Sequence, residues 1–409
     1  MMNICRRRLV RTWDRLLSRS IATEKKRRPL DERSGWEAVI GLEIHAQIAS
    51  RSKLFSGAAT DFDCSVNSAV SLFDCASPGT LPVLNRRCVE AAVAAALALN
   101  CRLRTVSSFD RKHYFYADMP AGYQITQQRS PIAVDGHLDF FAYSADEAPV
   151  AKRLRIERIQ IEMDSGKTVH DLANRRSLVD LNRAGVGLIE IVTDHQLHTG
   201  LEAACFAEEL RQVLVHIGVC GGEMQKGQLR VDANVSVRRV GEALGVRTEV
   251  KNLNSFKFIE TAVKYEIDRQ YRLLSEGGQV VNETRGYDDE GRTVSMRDKE
   301  VRQDYRFMPE PNLPPLRLSD GPSDDPNVVS ISSIKQTLPA ALADKRRWYI
   351  EKIGMDPLVA IYTVNDTARM KFVDDCFADK TCPPIESMAF WLDEYRLALR
   401  KHKMDFSTE

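Results

Sequence analysis

Four segments of this chain alternate apolar and polar residues with a period of two, and a fifth is a short apolar run carrying a single carboxylate. Successive side chains on a β-strand point to opposite faces, so this pattern predicts a sheet with one buried and one polar face. In GLEIHAQI, Leu42, Ile44 and Ile48 oppose Glu43, His45 and Gln47. In RIQIEMD, Ile159, Ile161 and Met163 oppose Arg158, Gln160, Glu162 and Asp164. LRVDANVSVR sets Leu229, Val231, Ala233, Val235 and Val237 against Arg230, Asp232, Asn234, Ser236 and Arg238. VRTEVKN sets Val246, Thr248 and Val250 against Arg247, Glu249 and Lys251, and LIEIV contributes Glu190.

Two readings of the polar rows stand side by side. One is an antiparallel sheet whose second face is simply wet. The other is a concave polar site, because carboxylate, carboxamide and guanidinium recur together on the same side of several strands. Under the second reading the oxygens of Glu43, Glu162, Glu190 and Glu249 suit Mg²⁺, which binds a few protein carboxylates together with substrate phosphates, while Arg and Lys hold the phosphates.

No familiar nucleotide loop accompanies these rows. Neither Gly-x-x-x-x-Gly-Lys-Ser/Thr nor Gly-x-Gly-x-x-Gly occurs after a strand, so P-loop and Rossmann readings lack support. Ser77-Pro78-Gly79-Thr80 reads as a turn, and Asp164-Ser165-Gly166-Lys167 resembles the end of a phosphate loop without its leading glycine. Two segments interleave cations with rings, Arg111 to Tyr116 and Met296 to Phe307; such rings stack on bases or else pack in a core.

The rest of the 409 residues falls into recognisable pieces. Residues 1–30 carry ten Arg and Lys against Asp14 and Glu24, with Leu9, Trp13, Leu16 and Leu17 near helical spacing. That is the makeup of a mitochondrial transit peptide, or else of a basic arm that contacts nucleic acid. Nine cysteines without a Cys-x-x-Cys pair read as reduced thiols rather than a zinc ribbon or disulfide framework. The longest apolar stretch, Ala91 to Leu99, is about half of a bilayer span, so no membrane insertion is expected.

A large region at 35–308 precedes a proline-rich stretch at 309–330, which reads as a linker or clasp without regular structure. A helical region at 331–409 follows, ending in an amphipathic run with Met388, Trp391, Leu392, Tyr395 and Leu399. Inside the large region the spacing predicts helices over Val89–Leu99, Leu201–Ile217 and Phe256–Leu274, the last two stopped by Gly218 and by Gly277 and Gly278.

From Trp36 to Leu316 the motifs follow one another in an order that resembles the B-subunit family of the aspartyl/glutamyl-tRNA amidotransferases, in its mitochondrial form: GLEIHAQI, SKLFS, SPGTLPVLN, FDRKHYFYADMPAGYQITQ, DSGK, DLNRAGVGLIEIV, LRVDANVSV, TEVKNLNSFKFI and ETRGYDDEGRTVSMRDKEVRQDYRFMPEPNLPPL. The resemblance implies an α+β fold, an antiparallel cradle resembling glutamine synthetase followed by a small helical domain that is incomplete here, with the family's C-terminal tail domain absent. It implies an ATP-dependent carbon–nitrogen ligase in the mitochondrial matrix that takes its amide from glutamine. The γ-carboxylate of Glu-tRNA(Gln) is phosphorylated by ATP, and ammonia from a partner amidase, the A subunit, displaces the phosphate; a small third partner, the C subunit, holds the two together.

Carried over by motif, Glu43, His45 and Glu162 are the catalytic candidates and, with Glu190 and Glu249, the Mg²⁺ ligands. Arg183, Arg230, Lys251 and Arg297 are candidates for phosphate or tRNA acceptor-end contacts. Glu43, His45 and Glu162 are expected to converge in space. His113, Ala117, Met119 and Ala121 stand where the family more often has Asn, Pro, Leu and Lys, and Met163 replaces one of two acidic residues before DSGK. The competing reading is a non-catalytic tRNA-binding scaffold or a truncated assembly factor.

Overall fold

The first alternating segment becomes the middle of the molecule. β1 (Trp36–Gln47) lies at the centre of a nine-stranded sheet, its neighbours arriving from far downstream. The computed structural model describes residues 35–144, 148–297, 305–323, 325, 327–378 and 401. The basic segment at 1–30 and the amphipathic run at 388–399 lie outside the described residues.

After β1 come α1 (Arg86–Ala98), the short strands β2 (Arg102–Leu103) and β3 (Val106–Ser107), and a ribbon of β4 (Asp110–His113) and β5 (Tyr123–Thr126). The long hairpin β6 (Ala133–Ala142) and β7 (Val150–Met163) is followed by a small one, β8 (Lys167–Asp171) and β9 (Arg176–Asp180). Next are β10 (Gly187–Thr193), α2 (Gly200–His216), β11 (Leu229–Arg239), β12 (Thr248–Leu253), α3 (Phe256–Ser275), β13 (Thr284–Tyr287) and β14 (Thr293–Arg297). Short strands β15 (Met308–Pro309), β16 (Leu316–Ser319) and β17 (Val329–Ser330) precede α4 (Ile331–Thr337), α5 (Leu342–Glu351), α6 (Pro357–Val364) and α7 (Thr367–Ala378).

The sheet runs β14-β13-β12-β11-β1-β10-β7-β6-β2, antiparallel throughout except between β12 and β13. Ile40, Ile44, Ile161, Ile189, Val231 and Val235 are wholly buried on its apolar face, which α1, α2 and α3 cover. The three helices stand within a few residues of their expected bounds because local chemistry starts and stops them. Asn85, Thr199 and Ser255 each accept a first-turn amide through the side chain, and the chain leaves α2 and α3 through Gly218 and Gly277, both at positive φ.

The pairing register shifts in β12 and at the β13–β14 edge as well as in β7, where the shift bears on the core. Val192 pairs with Arg158 but the next residue, Thr193, pairs with Ile156, so Glu157 is an extra residue in the strand. This bulge lets Leu154 and Ile156 share the core face with Ile159, Ile161 and Met163.

The proline-rich stretch differs from expectation. β15 pairs with β4 and β16 with β3, and Glu310 forms a two-pronged ion pair with Arg111 at 2.6 and 3.1 Å. In β16 the pairing survives because LRLS, at 316–319, is itself free of proline. The later helices dock on α2 through Arg346, whose guanidinium donates to both oxygens of buried Glu209 at 2.8 and 2.6 Å. Among the described residues no helix is long and apolar enough to cross a membrane.

Candidate active site

Register assembles the site. His45 on β1 lies opposite Glu190 on β10 and Arg230 on β11, Glu43 lies opposite Asp232, and Glu162 on β7 is two residues along from Gln160, the partner of Glu190. Paired residues share a face, so four of the expected residues meet. His45 Nε2 is 3.4 Å from Glu162 Oε1, 3.8 Å from Glu43 Oε1 and 3.9 Å from Glu190 Oε2. Glu162 and Glu190 are buried, while Glu43 and His45 remain 29% and 19% exposed, which gives the cluster a dry floor and an open mouth.

The β4–β5 ribbon walls one side. Thr126 donates its hydroxyl to Glu162 at 3.2 Å, Gln160 donates to Thr126 at 3.1 Å and to Glu190 at 2.7 Å, and Gln124 donates to the Met163 carbonyl at 2.7 Å. The buried carboxylates are thus oriented by hydrogen bonds as well as by the sheet.

Burial opposes an imidazolium at His45, but the hydrogen bond and charge of Glu162, helped by Glu190 and Glu43, outweigh it and push the group up to about 9. Burial likewise disfavours a Glu162 carboxylate, yet His45 and the nearby Lys112 charge draw it down to about 2. Glu190 is driven well above the carboxylate range by burial and then by the charges of Glu162 and Glu43. One proton-rich and one proton-poor carboxyl side by side is the arrangement of like charges that cannot both ionise.

Oxygen and nitrogen donors in this set fit a divalent cation. One ligand atom each from Glu43, His45 and Glu190 can lie within 4.8 Å of the others. A cation there replaces the protons that the cluster otherwise holds.

The remaining candidates separate from this group. Glu249 does not join it: its β11 partner Asn234 lies opposite Gly41, four residues along β1 from His45, and the Glu249 carboxylate binds Lys251 Nζ at 2.9 Å, as does Asp232. The reason is charge, since an ammonium between two carboxylates holds them away from any other cation. Burial works against the Lys251 charge, but Asp232 and Glu249 raise its basicity well beyond the ordinary. Arg297 ends β14, its backbone opposite Thr284 and four strands from β1.

Arg183 and Arg230 do converge, on a residue that the candidate set omits. Asp164, directly after β7, lies 2.9 Å from Arg230 and 3.5 Å from Arg183, which also donates to the carbonyls of Ser165 and Gly166. Arg230 Nε is buried without a hydrogen-bond partner, a spare donor beside the carboxylate cluster. The DSGK turn is not an open phosphate loop, because the Ser165 amide bonds Asp164 and the Gly166 amide bonds the Asp118 carbonyl.

Lys53 also escapes sequence reasoning. It is wholly buried, with Nζ 3.0 Å from Asp74 and 3.2 Å from the Leu181 carbonyl, under the loop that carries Arg183. Its only signal is a lone lysine beside Leu54 and Phe55.

A family model described as the GatB/GatE catalytic domain matches residues 38–323. The chain is 49% identical over 393 residues to the B subunit of the mitochondrial glutamyl-tRNA(Gln) amidotransferase of Aedes aegypti, covering 95% of this chain and 74% of that one. It is 49% identical over 380 residues to the Homo sapiens protein of the same name, with 91% and 68% covered. Against the B subunit of the aspartyl/glutamyl-tRNA(Asn/Gln) amidotransferase of Rickettsia bellii the identity is 45% over 365 residues, with 89% and 72% covered. With the motif order, the sheet and the carboxylate–histidine cluster all falling inside the matched span, the chain belongs to the GatB/GatE family.

Proposed function

We propose that this chain is the carboxylate-activating component of a mitochondrial amidotransferase that converts Glu-tRNA(Gln) to Gln-tRNA(Gln), in a complex with an amidase (the A subunit) and a small third chain (the C subunit). The relatives' names support the reaction and the compartment. The observation that carries the chemistry is the meeting of Glu43, His45, Glu162 and Glu190 on one sheet face. A scaffold that only bound tRNA would gain nothing from burying carboxylates beside one another.

In this reading the γ-carboxylate of the substrate attacks the terminal phosphorus of ATP, releasing ADP and leaving an acyl phosphate; ammonia then attacks the acyl carbon and phosphate departs. Glu43, His45, Glu162 and Glu190 would hold Mg²⁺, which would supply positive charge beside the transferring phosphate. Arg230, through its spare Nε, and Lys112 face the same anionic group. Asp164 holds Arg230 and Arg183 in place, making it a positioning residue. Glu249, Asp232 and Lys251 form a second polar station on the same sheet. Residues 35–308 act as a cradle of the glutamine synthetase kind, the 309–330 stretch as a clasp whose strands pair back onto β3 and β4, and the helices within 331–378 as part of a small helical domain.

The test is Glu162→Gln in the assembled complex, assayed for Gln-tRNA(Gln) formation and, separately, for glutamine hydrolysis. Loss of amidation by about 10²-fold or more with hydrolysis retained is expected from removing one charge-stabilising group. Amidation within a few-fold of the unaltered complex would overturn the assignment.

A further inference from the structure

The ribbon that walls the site ends in an exposed ring that the chemistry above does not use. Phe115, in the turn between β4 and β5, is 87% exposed, with one edge of its ring against Gly122. Gly122 lies at φ +73, and a Cβ there would stand 3.1 Å from the Phe115 ring, so one edge of the ring rests on bare backbone. Gly122 is itself tied down, its amide to the Met119 carbonyl and its carbonyl to the Tyr114 amide. A large ring resting against backbone with its other surface in water is a preformed platform.

Behind it runs a series of rings. Tyr114 and Tyr116 are 5.5 Å apart, Tyr114 and Tyr305 6.4 Å, and Tyr305 and Phe307 6.1 Å, all three pairs edge-on. The inner end meets the carboxylates: burial first, and then the charges of Glu162, Asp118 and Asp164, make the Tyr114 phenol harder to ionise. Cations sit among the rings, with Arg111 over Tyr123 at 4.2 Å and Lys112 over Tyr305 at 4.7 Å. Aromatic faces interleaved with cations suit an unpaired nucleotide, whose base stacks and whose phosphate needs positive charge.

We propose that Phe115, with Tyr116 beside it, seats the terminal base of the tRNA acceptor strand and so delivers the attached amino acid to the carboxylate cluster. The inference rests on the amidotransferase reading and names a substrate contact within it. Phe115 sets how tightly the acceptor end is held.

The experiment uses the full chain assembled with its two partner proteins and tRNA(Gln) carrying 2-aminopurine as the 3′-terminal base, whose fluorescence falls when it stacks. The unaltered complex should quench the probe. Phe115→Leu should abolish that quenching and raise KM for Glu-tRNA(Gln) by about tenfold, the loss expected for one stacking contact, whereas Phe115→Trp should preserve both. Undiminished quenching in the leucine variant overturns the proposal. So does loss of a partner protein from that variant on gel filtration with quenching intact, which would make the ring a protein-docking contact. If the unaltered complex quenches the probe but forms no Gln-tRNA(Gln), the amidotransferase reading fails while the base seat stands.

Discussion

Replacing Arg346 by Met is expected to loosen the later helices without disturbing the sheet. Both side chains of the Arg346–Glu209 pair are nearly inaccessible, at 3% and 6%, and the two hydrogen bonds are parallel and short. Removing the guanidinium strands an ionised carboxylate in a dry interface, and breaking such a pair costs about 3–5 kcal/mol. Because Glu209 belongs to α2 and Arg346 to α5, the loss falls on the docking of α5–α7. A decade in an equilibrium constant corresponds to about 1.4 kcal/mol, so amides of residues 342–378 should exchange with solvent roughly a hundred- to several-thousand-fold faster. Hydrogen exchange read by mass spectrometry resolves this, with β7 and β10 peptides as the internal reference. Adding Glu209→Leu should recover most of the protection, since an apolar pair carries no stranded charge. Acceleration below about tenfold, or equal acceleration in the sheet, would refute the reasoning: the first would mean that the pair contributes little, the second that the helices and sheet open as one unit.

Two further outcomes follow from other buried charges. Lys53→Met leaves Asp74 unpaired in an interior position and should lower stability by about 3–5 kcal/mol, read as a fall in urea midpoint; an unchanged midpoint would contradict the geometry. Glu266 on α3 is buried, which opposes its charge, but Arg269, Gln270 and Thr293 hold it ionised below its ordinary range. A depressed folded-state value gives stability that is present above the ordinary carboxylate range and lost as pH falls through it, so Glu266→Gln should flatten the acid limb of the stability curve; an unaltered limb would contradict this.

Much of the site was legible because a strand makes face membership a matter of counting. Alternation puts Glu43, His45 and Glu162 on polar faces, the motif resemblance singles them out, and the short apolar run LIEIV adds Glu190. How strands are staggered against one another is not written in any one segment, and there Glu249 departs from the expected group: through Asn234 it lies level with Gly41, beside a lysine that claims its charge. Arg297 shows the same limit at the sheet edge. The β7 bulge hid a change of phase, and Lys53 concealed its burial because its partner Asp74 lies in an irregular loop that no periodicity marks. Helix ends were easier, since Asn85, Thr199, Ser255, Gly218 and Gly277 act within one turn of themselves.

The position of β1 carries a consequence for how the molecule comes into being. It is the first strand of the sheet to be synthesised, yet it pairs with β10 and β11, so neither of its edges can close until residues 187–239 exist. The ribbon carrying Lys112 waits longer still, for Glu310 to reach Arg111. Throughout that interval a strand with one apolar face and two open edges is available to any other extended chain, and its slow, long-range closure makes aggregation the competing fate. Emergence order therefore places the greatest hazard on the same strand that later holds Glu43 and His45, and assistance to the nascent or newly imported chain is needed most before the cluster can exist.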